Sequence, residues 1–334
     1  MSLAFLIGEI GLSHEGSLGL AISMVQRAKE VGLDAVKFQM HFPEFESTVD
    51  ESFRVKVFPQ DKTRSDYWKR TSFTRDEWLH IYRFCQEIDI TFLCTPFSIE
   101  AARFLKSLRA KSIKIASGDF DNLEIIEFAK NNFETIYLST GFSYLHEIEE
   151  VHKMLTSGVV ANVVFLQCTS KYPTPLCDVG LMIFDWFEER RINYGLSDHT
   201  GNKYAIMAAI SKGAHVVEFH LVFSRSQFGP DSRASLTFEE AREVVDFKNV
   251  YREVLSPSYS KDVVAKELKE VRNLFGRALA LKVSKKKGDL VLREDLVLKK
   301  PKGRNGWDQV DNFVGRTLSR NVPSNRHISE EDFE

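Results

Sequence analysis

Two histidines hold the positions with the clearest chemical potential. His199 and His220 each end a short apolar segment that has the character of a buried strand. Consecutive strands of a barrel would place both imidazoles over one face, close enough to share a metal ion. Glu218 lies two residues before His220 and shares its side of the strand, whereas Asp198 points away from the side of His199. Spacing alone leaves open both a metal site and two ordinary hydrogen-bonded histidines.

Two lysines also interrupt apolar strand-like segments. Lys37 and Lys114 would be costly to bury unless a carboxylate or a bound anion compensates their charge. Structural ion pairs with Glu9 or Asp119 are one explanation; a Schiff base with a carbonyl substrate and a clamp on phosphate or carboxylate are the others. Other predicted strand ends supply hydroxyl groups suited to an anion, namely Thr95, Ser117, Ser139 and Ser197. The combination favours an anionic substrate.

The elements that must position these residues alternate along the chain. Short apolar runs predict strands at 5–10, 35–39, 90–95, 112–117, 135–140, 163–168, 193–197 and 216–221. Helical periodicity follows at 18–31, 98–108, 122–130, 144–155, 202–212 and 237–254. This alternation predicts a (β/α)₈ TIM barrel over residues 1–255. An open doubly wound sheet is the alternative, but residues 8–16 lack the glycine spacing of a dinucleotide-binding loop.

The composition of the chain changes after residue 255. A linker with a helical arm is predicted for residues 256–275, because a Ser- and Pro-rich turn at 256–260 precedes a charged amphipathic stretch at 261–273. Short β-like runs broken by Gly and Pro follow, so residues 276–334 predict a small, mostly β domain.

Composition excludes several classes of partner. A net charge of −2 gives no general attraction to nucleic acid or membranes. The N-terminal segment has no basic flank before its apolar run, and no run reaches the length of a membrane span, so we expect a cytoplasmic protein. The four cysteines form no Cys-x-x-Cys pair and are expected to be reduced, buried thiols.

Nine motifs together resemble the sialic acid synthases. In chain order they are EIGLSHEG (9–16), VKFQ (36–39), CTPFS (94–98), KIASGD (114–119), LSTG (138–141), CTSKYPT (168–174), GLSDHT (195–200), EFH (218–220) and GPD (229–231). The tail from residue 276 resembles the antifreeze-like (SAF) domain of the same family, which includes legionaminic and pseudaminic acid synthases. The resemblance therefore covers nearly the whole chain.

This resemblance implies a reaction and a set of roles. The expected enzyme condenses phosphoenolpyruvate with the open-chain aldehyde of N-acetylmannosamine or a related acylated amino sugar, giving a nine-carbon 2-keto acid and phosphate. A divalent metal, manganese or magnesium, would be held by His199 and His220 and polarise the aldehyde oxygen. Glu9 would be the acid/base residue, and we expect Glu218 to take part in catalysis. The positions implied for phosphoenolpyruvate are Lys37, Thr95, Lys114, Ser117, Ser139, Ser170 and Ser197; those for the sugar include Gln39, Asp119, Tyr172 and Asp231.

The departures from the family pattern lie mostly on the sugar side. Asp119 stands where many members have Glu, and the long loop 42–71 carries Asp61 near an expected sugar-binding Asn. In the tail, either Lys300 or Arg304 would contact the sugar, and the family implies a domain-swapped homodimer. Two alternatives remain: another phosphoenolpyruvate-dependent keto-sugar-acid synthase, and a non-enzymatic sugar-binding protein.

Overall fold

The computed structural model describes residues 4–48, 50–157, 162–255 and 258–334. The chain divides into two compact units, Met1–Leu255 and Ser256–Glu334. Residues 1–3 of the predicted N-terminal segment and residues 256 and 257 of the predicted linker lie outside the described residues.

The first unit is built on eight parallel strands, which confirms the predicted (β/α)₈ barrel. They are β1 (Phe5–Gly11), β2 (Ala35–Met40), β3 (Thr91–Pro96), β4 (Ser112–Ile115), β5 (Thr135–Ser139), β6 (Asn162–Cys168), β7 (Tyr194–Asp198) and β8 (Val216–Val222). The hydrogen-bonded order is β3-β2-β1-β8-β7-β6-β5-β4, and β3 lies beside β4, so the barrel is nearly closed. A two-residue strand, β9 (Leu236–Thr237), pairs with β8.

Helices alternate with these strands. They are α1 (Leu18–Val31), α2 (Pro43–Glu46), α3 (Arg64–Thr71), α4 (Arg75–Glu87), α5 (Ile99–Ser107), α6 (Leu123–Asn132), α7 (Leu145–Thr156), α8 (Ile183–Glu189), α9 (Lys203–Ser211) and α10 (Phe238–Val254). The stretch 42–71, expected to be a loop, contains α2 and α3. No helix in the described ranges combines the length and apolar character needed to cross a membrane.

Side chains inside the barrel form an apolar layer below a polar layer. Ile7, Ala35, Leu93, Val164 and Val216 belong to one buried cluster inside the strands. Two residues further along the strands, toward their carboxyl ends, the inward positions become polar. Strand register then brings these polar residues side by side, because Glu9 is paired with Lys37 on one neighbour and with His220 on the other.

The second unit has a small core of its own. It begins with two helices, α11 (Lys261–Glu267) and α12 (Lys269–Phe275), separated by Leu268, where a single helical arm was predicted. Strands β10 (Ala278–Leu281) and β11 (Leu296–Lys299) are antiparallel. Leu279, Val291, Phe313 and Leu318 are buried together beside them.

The cysteines only partly match expectation. Cys85, Cys94 and Cys168 are buried free thiols, whereas Cys177 is exposed. Cys177 belongs to a short 3₁₀ turn after β6 and not to the barrel core, which is why its thiol reaches the surface.

Candidate active site

The carboxyl ends of the barrel strands surround a cavity of about 480 Å³. Most of the residues proposed from the sequence line it: Glu9, Lys37, Gln39, Thr95, Lys114, Ser117, Asp119, Ser139, Ser170, Tyr172, Ser197, His199, Glu218, His220 and Asp231. Asp61 is not part of the lining, and Lys300 and Arg304 belong to the second unit. The roles predicted for all these residues stay predictions.

Lys37 is compensated by two buried carboxylates. Its Nζ lies 2.9 Å from Glu9 Oε2 and 3.5 Å from Glu218 Oε1, and it donates a hydrogen bond to Thr95 Oγ1 at 3.2 Å. Burial alone would lower the pKa of Lys37, but the charges of Glu218 and Glu9 outweigh it and raise the pKa. Burial would likewise raise the pKa of Glu218, yet the positive charges of Lys37 and Lys114 lower it. Lys37 and Glu218 are therefore both charged.

Lys114 forms no such ion pair among the described residues, although the charge of Glu218 partly offsets the effect of its burial. Its ammonium donates to Ser139 Oγ at 2.6 Å and to the carbonyl of Ile115 at 2.9 Å, and within the described ranges no carboxylate forms an ion pair with it. The side chain is only 2% exposed, and burial lowers the pKa of its ammonium. A buried cation bonded only to neutral groups is stabilised when an anion binds beside it.

Hydroxyl groups surround the approach to Lys114. The backbone N–H of Gly141 donates to Ser117 Oγ at 3.0 Å. A side chain at position 141 would displace these hydroxyl groups, because its Cβ would lie 2.2 Å from Ser170 Oγ and 2.8 Å from Ser117 Oγ. Ser117, Ser139, Gly141 and Ser170, together with Lys114, are called the anion cradle below.

His199 and His220 face one another at the cavity wall. Their ring centroids are 5.3 Å apart, and the ring of Tyr172 lies 4.2 Å from that of His199. Burial, followed by the charge of His220, holds the pKa of His199 well below its ordinary value, so His199 is neutral. Nδ1 of His220 is buried and has no hydrogen-bond partner.

This pair fits a metal site only if the ion takes ligands from elsewhere. Among the residues that the structure describes, no three His, Cys, Asp or Glu side chains form a metal-binding group. A neutral imidazole and an unpartnered buried ring nitrogen are nevertheless the donors that a divalent ion needs. With two protein nitrogens as ligands, the remaining coordination positions of the ion would be filled by water and substrate.

A polar wall on the outer side of the cavity joins β6 and β8 to the stretch 42–71. The guanidinium of Arg54 lies 4.0 Å above the ring of Tyr172 and 2.6 Å from Asp231 Oδ1. Asp119, after β4, also lines the cavity, and burial raises the pKa of its carboxyl group. No sequence pattern pointed to Arg54, because the stretch that carries it has no regular periodicity.

Asp61 has a structural partner instead of a place in the cavity. Its carboxylate accepts hydrogen bonds from Arg70, with Arg70 Nη2 at 2.7 Å from Oδ2. Arg70 also reaches Glu15 at 3.4 Å, so Asp61 helps to attach α3 to the segment after β1. The structure therefore gives no support to a sugar contact by Asp61.

His41, which belongs to none of the nine sequence motifs, also lines the cavity. It stacks between Trp68 and Phe97, at centroid distances of 4.0 and 4.5 Å. The signal that could have found it is its position: it follows β2 directly, two residues after Gln39.

The barrel and its polar carboxyl end define an enzyme-like site of the TIM-barrel class. The NeuB family profile matches residues 24–257, and the chain belongs to the NeuB family. It is 31% identical over 326 residues to the N,N'-diacetyllegionaminic acid synthase of Legionella pneumophila, covering 95% of this chain and 91% of that protein. It is 29% identical over 340 residues to the human N-acetylneuraminate-9-phosphate synthase, covering 98% and 92%.

A solved structure agrees with these relatives. The N-acetylneuraminic acid (sialic acid) synthetase of Leptospira borgpetersenii, in complex with citrate, superimposes with a TM-score of 0.70 at 27% identity. The match covers 82% of this chain and 92% of that one. The resemblance drawn from the sequence motifs is thus confirmed at the level of the family.

Proposed function

We propose that this protein is a nonulosonate synthase that condenses phosphoenolpyruvate with an acylated amino sugar such as N-acetylmannosamine. One observation carries the proposal. Lys114 is a buried cation with hydroxyl partners and no carboxylate, so the anion cradle lacks a negative charge that phosphoenolpyruvate would supply. Family membership and the relatives that make nine-carbon sugar acids support the same reaction class.

The proposed chemistry balances without a redox partner. C3 of phosphoenolpyruvate attacks the aldehyde carbon and forms the new C–C bond, while the aldehyde oxygen gains a proton and becomes a hydroxyl group. Water adds to C2, and phosphate then leaves with its bridging oxygen, which yields the 2-keto acid. The overall reaction consumes phosphoenolpyruvate, sugar and water and releases phosphate.

The residues of the chain would divide this work. The anion cradle and Lys37 would bind phosphoenolpyruvate, with Thr95, which accepts from Lys37, and Ser197, which donates to Glu218, as neighbouring hydroxyl groups. Glu9 would take the proton of the water that adds to C2. Glu218, bonded to Ser197 at 3.1 Å, would keep Lys37 charged and positioned.

The histidine pair would hold the divalent metal of the family. Manganese or magnesium bound there supplies a Lewis acid for the sugar carbonyl. His199 and His220 would be the protein ligands, and Tyr172 would pack against His199 and limit where the sugar can lie.

Charges on the outer wall favour a sugar without a phosphate group. The carboxylates of the lining there are Glu46, Glu51, Asp119 and Asp231. The guanidinium groups of that wall are already paired, Arg54 with Asp231 at 2.6 Å and Arg64 with Glu51 at 3.2 Å. A second phosphate would find both guanidinium groups already engaged and would lie near the carboxyl group of Asp119, which has no cationic partner in the described ranges, so we propose a neutral amino sugar as the acceptor. Gln39, Asp119, Tyr172 and Asp231 are the proposed contacts.

The test is phosphate release from phosphoenolpyruvate in the presence of a panel of aldoses. N-acetylmannosamine and related diacetylated amino sugars should support turnover, and N-acetylmannosamine 6-phosphate should support much less. Release only with phosphorylated five- or four-carbon aldoses would indicate a synthase of shorter keto acids instead. No release with any aldose, together with sugar binding in calorimetry, would indicate a non-enzymatic binding protein.

Metal dependence has a separate test. Chelation should abolish turnover, and added manganese or magnesium should restore it. His220→Ala should weaken manganese binding measured by calorimetry, whereas His146→Ala, an exposed histidine on α7, should not. Full activity in chelator would contradict the metal site.

A further inference from the structure

His41 is held by four neighbours at the cavity wall. Its ring is 2% exposed and lies between Trp68 and Phe97, with interplanar angles of 15° and 6°. Nδ1 lies 2.7 Å from Glu46 Oε1, and Nε2 lies 3.4 Å from Gln39 Oε1. Both ring nitrogens therefore face oxygen atoms.

The orientation of the Gln39 amide is fixed from its other side. Its Nε2 donates a hydrogen bond to Glu9 Oε1 at 3.0 Å. Glu9 forms an ion pair with Lys37 through Oε2 and accepts the amide hydrogen bond through Oε1, so the NH₂ group of Gln39 faces Glu9. The carbonyl oxygen of Gln39 must then face His41.

A neutral imidazole cannot satisfy both of its partners. With one proton, His41 could donate to Glu46 or to Gln39, and its second nitrogen would direct a lone pair at an acceptor oxygen. With both nitrogens protonated, it donates to both. The Glu46 carboxylate, which also accepts from the N–H of Phe42 at 3.1 Å, balances the resulting charge.

We infer that His41 is an imidazolium that acts as a positioning residue for Glu9 through Gln39. Glu46, His41, Gln39 and Glu9 form a hydrogen-bonded series from the cavity wall to the acid/base carboxylate. His41 holds the Gln39 amide in the one orientation that donates to Glu9, and the aromatic faces of Trp68 and Phe97 stabilise the cation. The kinetic part of this inference rests on the proposed function, whereas the protonation state does not.

Protonation is tested directly by ¹⁵N NMR of protein labelled at the histidine ring, at neutral pH. Both nitrogens of His41 should resonate as protonated nitrogens, and Glu46→Gln should move this pair of signals. His14 provides an internal comparison, because it is also buried and stacked on an aromatic ring, at 4.4 Å from Phe73, but burial lowers its pKa to about 3. One protonated and one bare nitrogen on His41 would overturn the inference, even if the enzyme reaction were not the one proposed.

Two substitutions separate positioning from packing. His41→Phe keeps an aromatic ring between Trp68 and Phe97 but removes the donor to Gln39; His41→Gln keeps a donor but removes the ring. We expect kcat to fall about tenfold in His41→Phe, with the KM for phosphoenolpyruvate little changed, and His41→Gln to retain more of kcat. His80→Gln, at an exposed site on α4, is the control. Parental kcat in His41→Phe, or a greater loss in His41→Gln at equal folded fraction, would show that the ring acts only by packing.

Discussion

The two barrel lysines have opposite electrostatic surroundings, although the sequence presents them alike. Lys37 contacts two carboxylates, whereas Lys114 contacts a hydroxyl group and a carbonyl. Removing Lys37 leaves buried negative charge without a partner, while removing Lys114 eliminates a buried positive charge that has none. The same substitution should therefore affect folding and binding differently at the two positions.

Lys114→Met should raise the KM for phosphoenolpyruvate about 30- to 150-fold and leave the thermal midpoint unchanged or higher, because a charge-assisted hydrogen bond contributes about 2–3 kcal/mol. Lys37→Met should lower the free energy of unfolding by about 3 kcal/mol, since Glu9 and Glu218 lose their cation. Steady-state kinetics and urea unfolding of both variants provide the comparison. Equal destabilisation by the two changes would contradict the proposal that Lys114 is an unpaired cation that binds an anionic substrate.

The same two lysines are not expected to form an imine. Borohydride with phosphoenolpyruvate and sugar should trap no covalent adduct by mass spectrometry, because the proposed chemistry uses their charge only. Inactivation by borohydride that depends on substrate would show that the lysine chemistry is wrong.

At the scale of elements, the site is produced by strand register and by the turns that follow the strands. Gly141 follows β5, and its lack of a side chain lets two serine hydroxyls approach the backbone. Gly141→Ala should reduce affinity for phosphoenolpyruvate by more than tenfold, since Ser170 and Ser117 must move to admit the methyl group. Gly19→Ala on α1, where the added carbon meets nothing within 4 Å, is the matched control. Equal affinity for phosphoenolpyruvate in the two variants would contradict the proposal that the anion cradle binds this substrate.

Glu15 lies in the segment after β1 that Arg70 of α3 contacts, and its contribution to the free energy of unfolding should depend on pH. Burial raises the pKa of Glu15 from 4.5 to about 7, although Arg70 lies 3.4 Å away. Between these values the folded state binds more protons than the unfolded state, so the stability that Glu15 contributes is complete below pH 4.5 and is lost as pH rises through 7. Glu15→Gln should therefore become more stable relative to the parent across this window, by on the order of 2 kcal/mol. Unfolding in urea at several pH values measures the difference; a constant difference would contradict the raised pKa.

The sequence predicted the barrel strands well because each strand is mainly an apolar run, as around Val36 and Phe38. Polar residues that point into the barrel occur only near the carboxyl ends of the strands. It did not predict α3 or α4, although both begin with a capping box, at Thr63 with Asp66 and at Thr74 with Glu77. Helix α3 is short and strongly charged, so it has no apolar periodicity to detect. The hydrogen-bonded series from Glu46 to Glu9 could not be predicted from the sequence either, because it depends on tertiary contacts between β1, β2 and α2.

At the scale of the whole molecule, the chain carries a second body with its own buried residues. Leu281, Val310 and Phe313 form part of that core, and the same unit holds Lys300 and Arg304. We propose that this unit is the antifreeze-like domain of the family and that Lys300 or Arg304 contacts the sugar. The proposed reaction uses one water molecule at C2, so a covering domain that keeps bulk water away from the reacting carbons has a chemical purpose.

The last prediction is that this covering domain acts on the barrel of a partner subunit in a homodimer. His220→Ala removes a residue of the barrel cavity, and a double change of Lys300→Ala and Arg304→Ala removes the two cations of the second unit that are proposed to contact the sugar. Each protein alone should be inactive. After subunit exchange, a mixed dimer that pairs domains across subunits contains one site with an intact barrel and an intact covering domain, so activity should return to about a quarter of the parental value if exchange is random. Exchange is verified by mass spectrometry of differently labelled subunits, and mixing either variant with itself is the control. A monomer in sedimentation, or no recovery after verified exchange, would refute the arrangement, because a domain that served only its own barrel could never rescue the other.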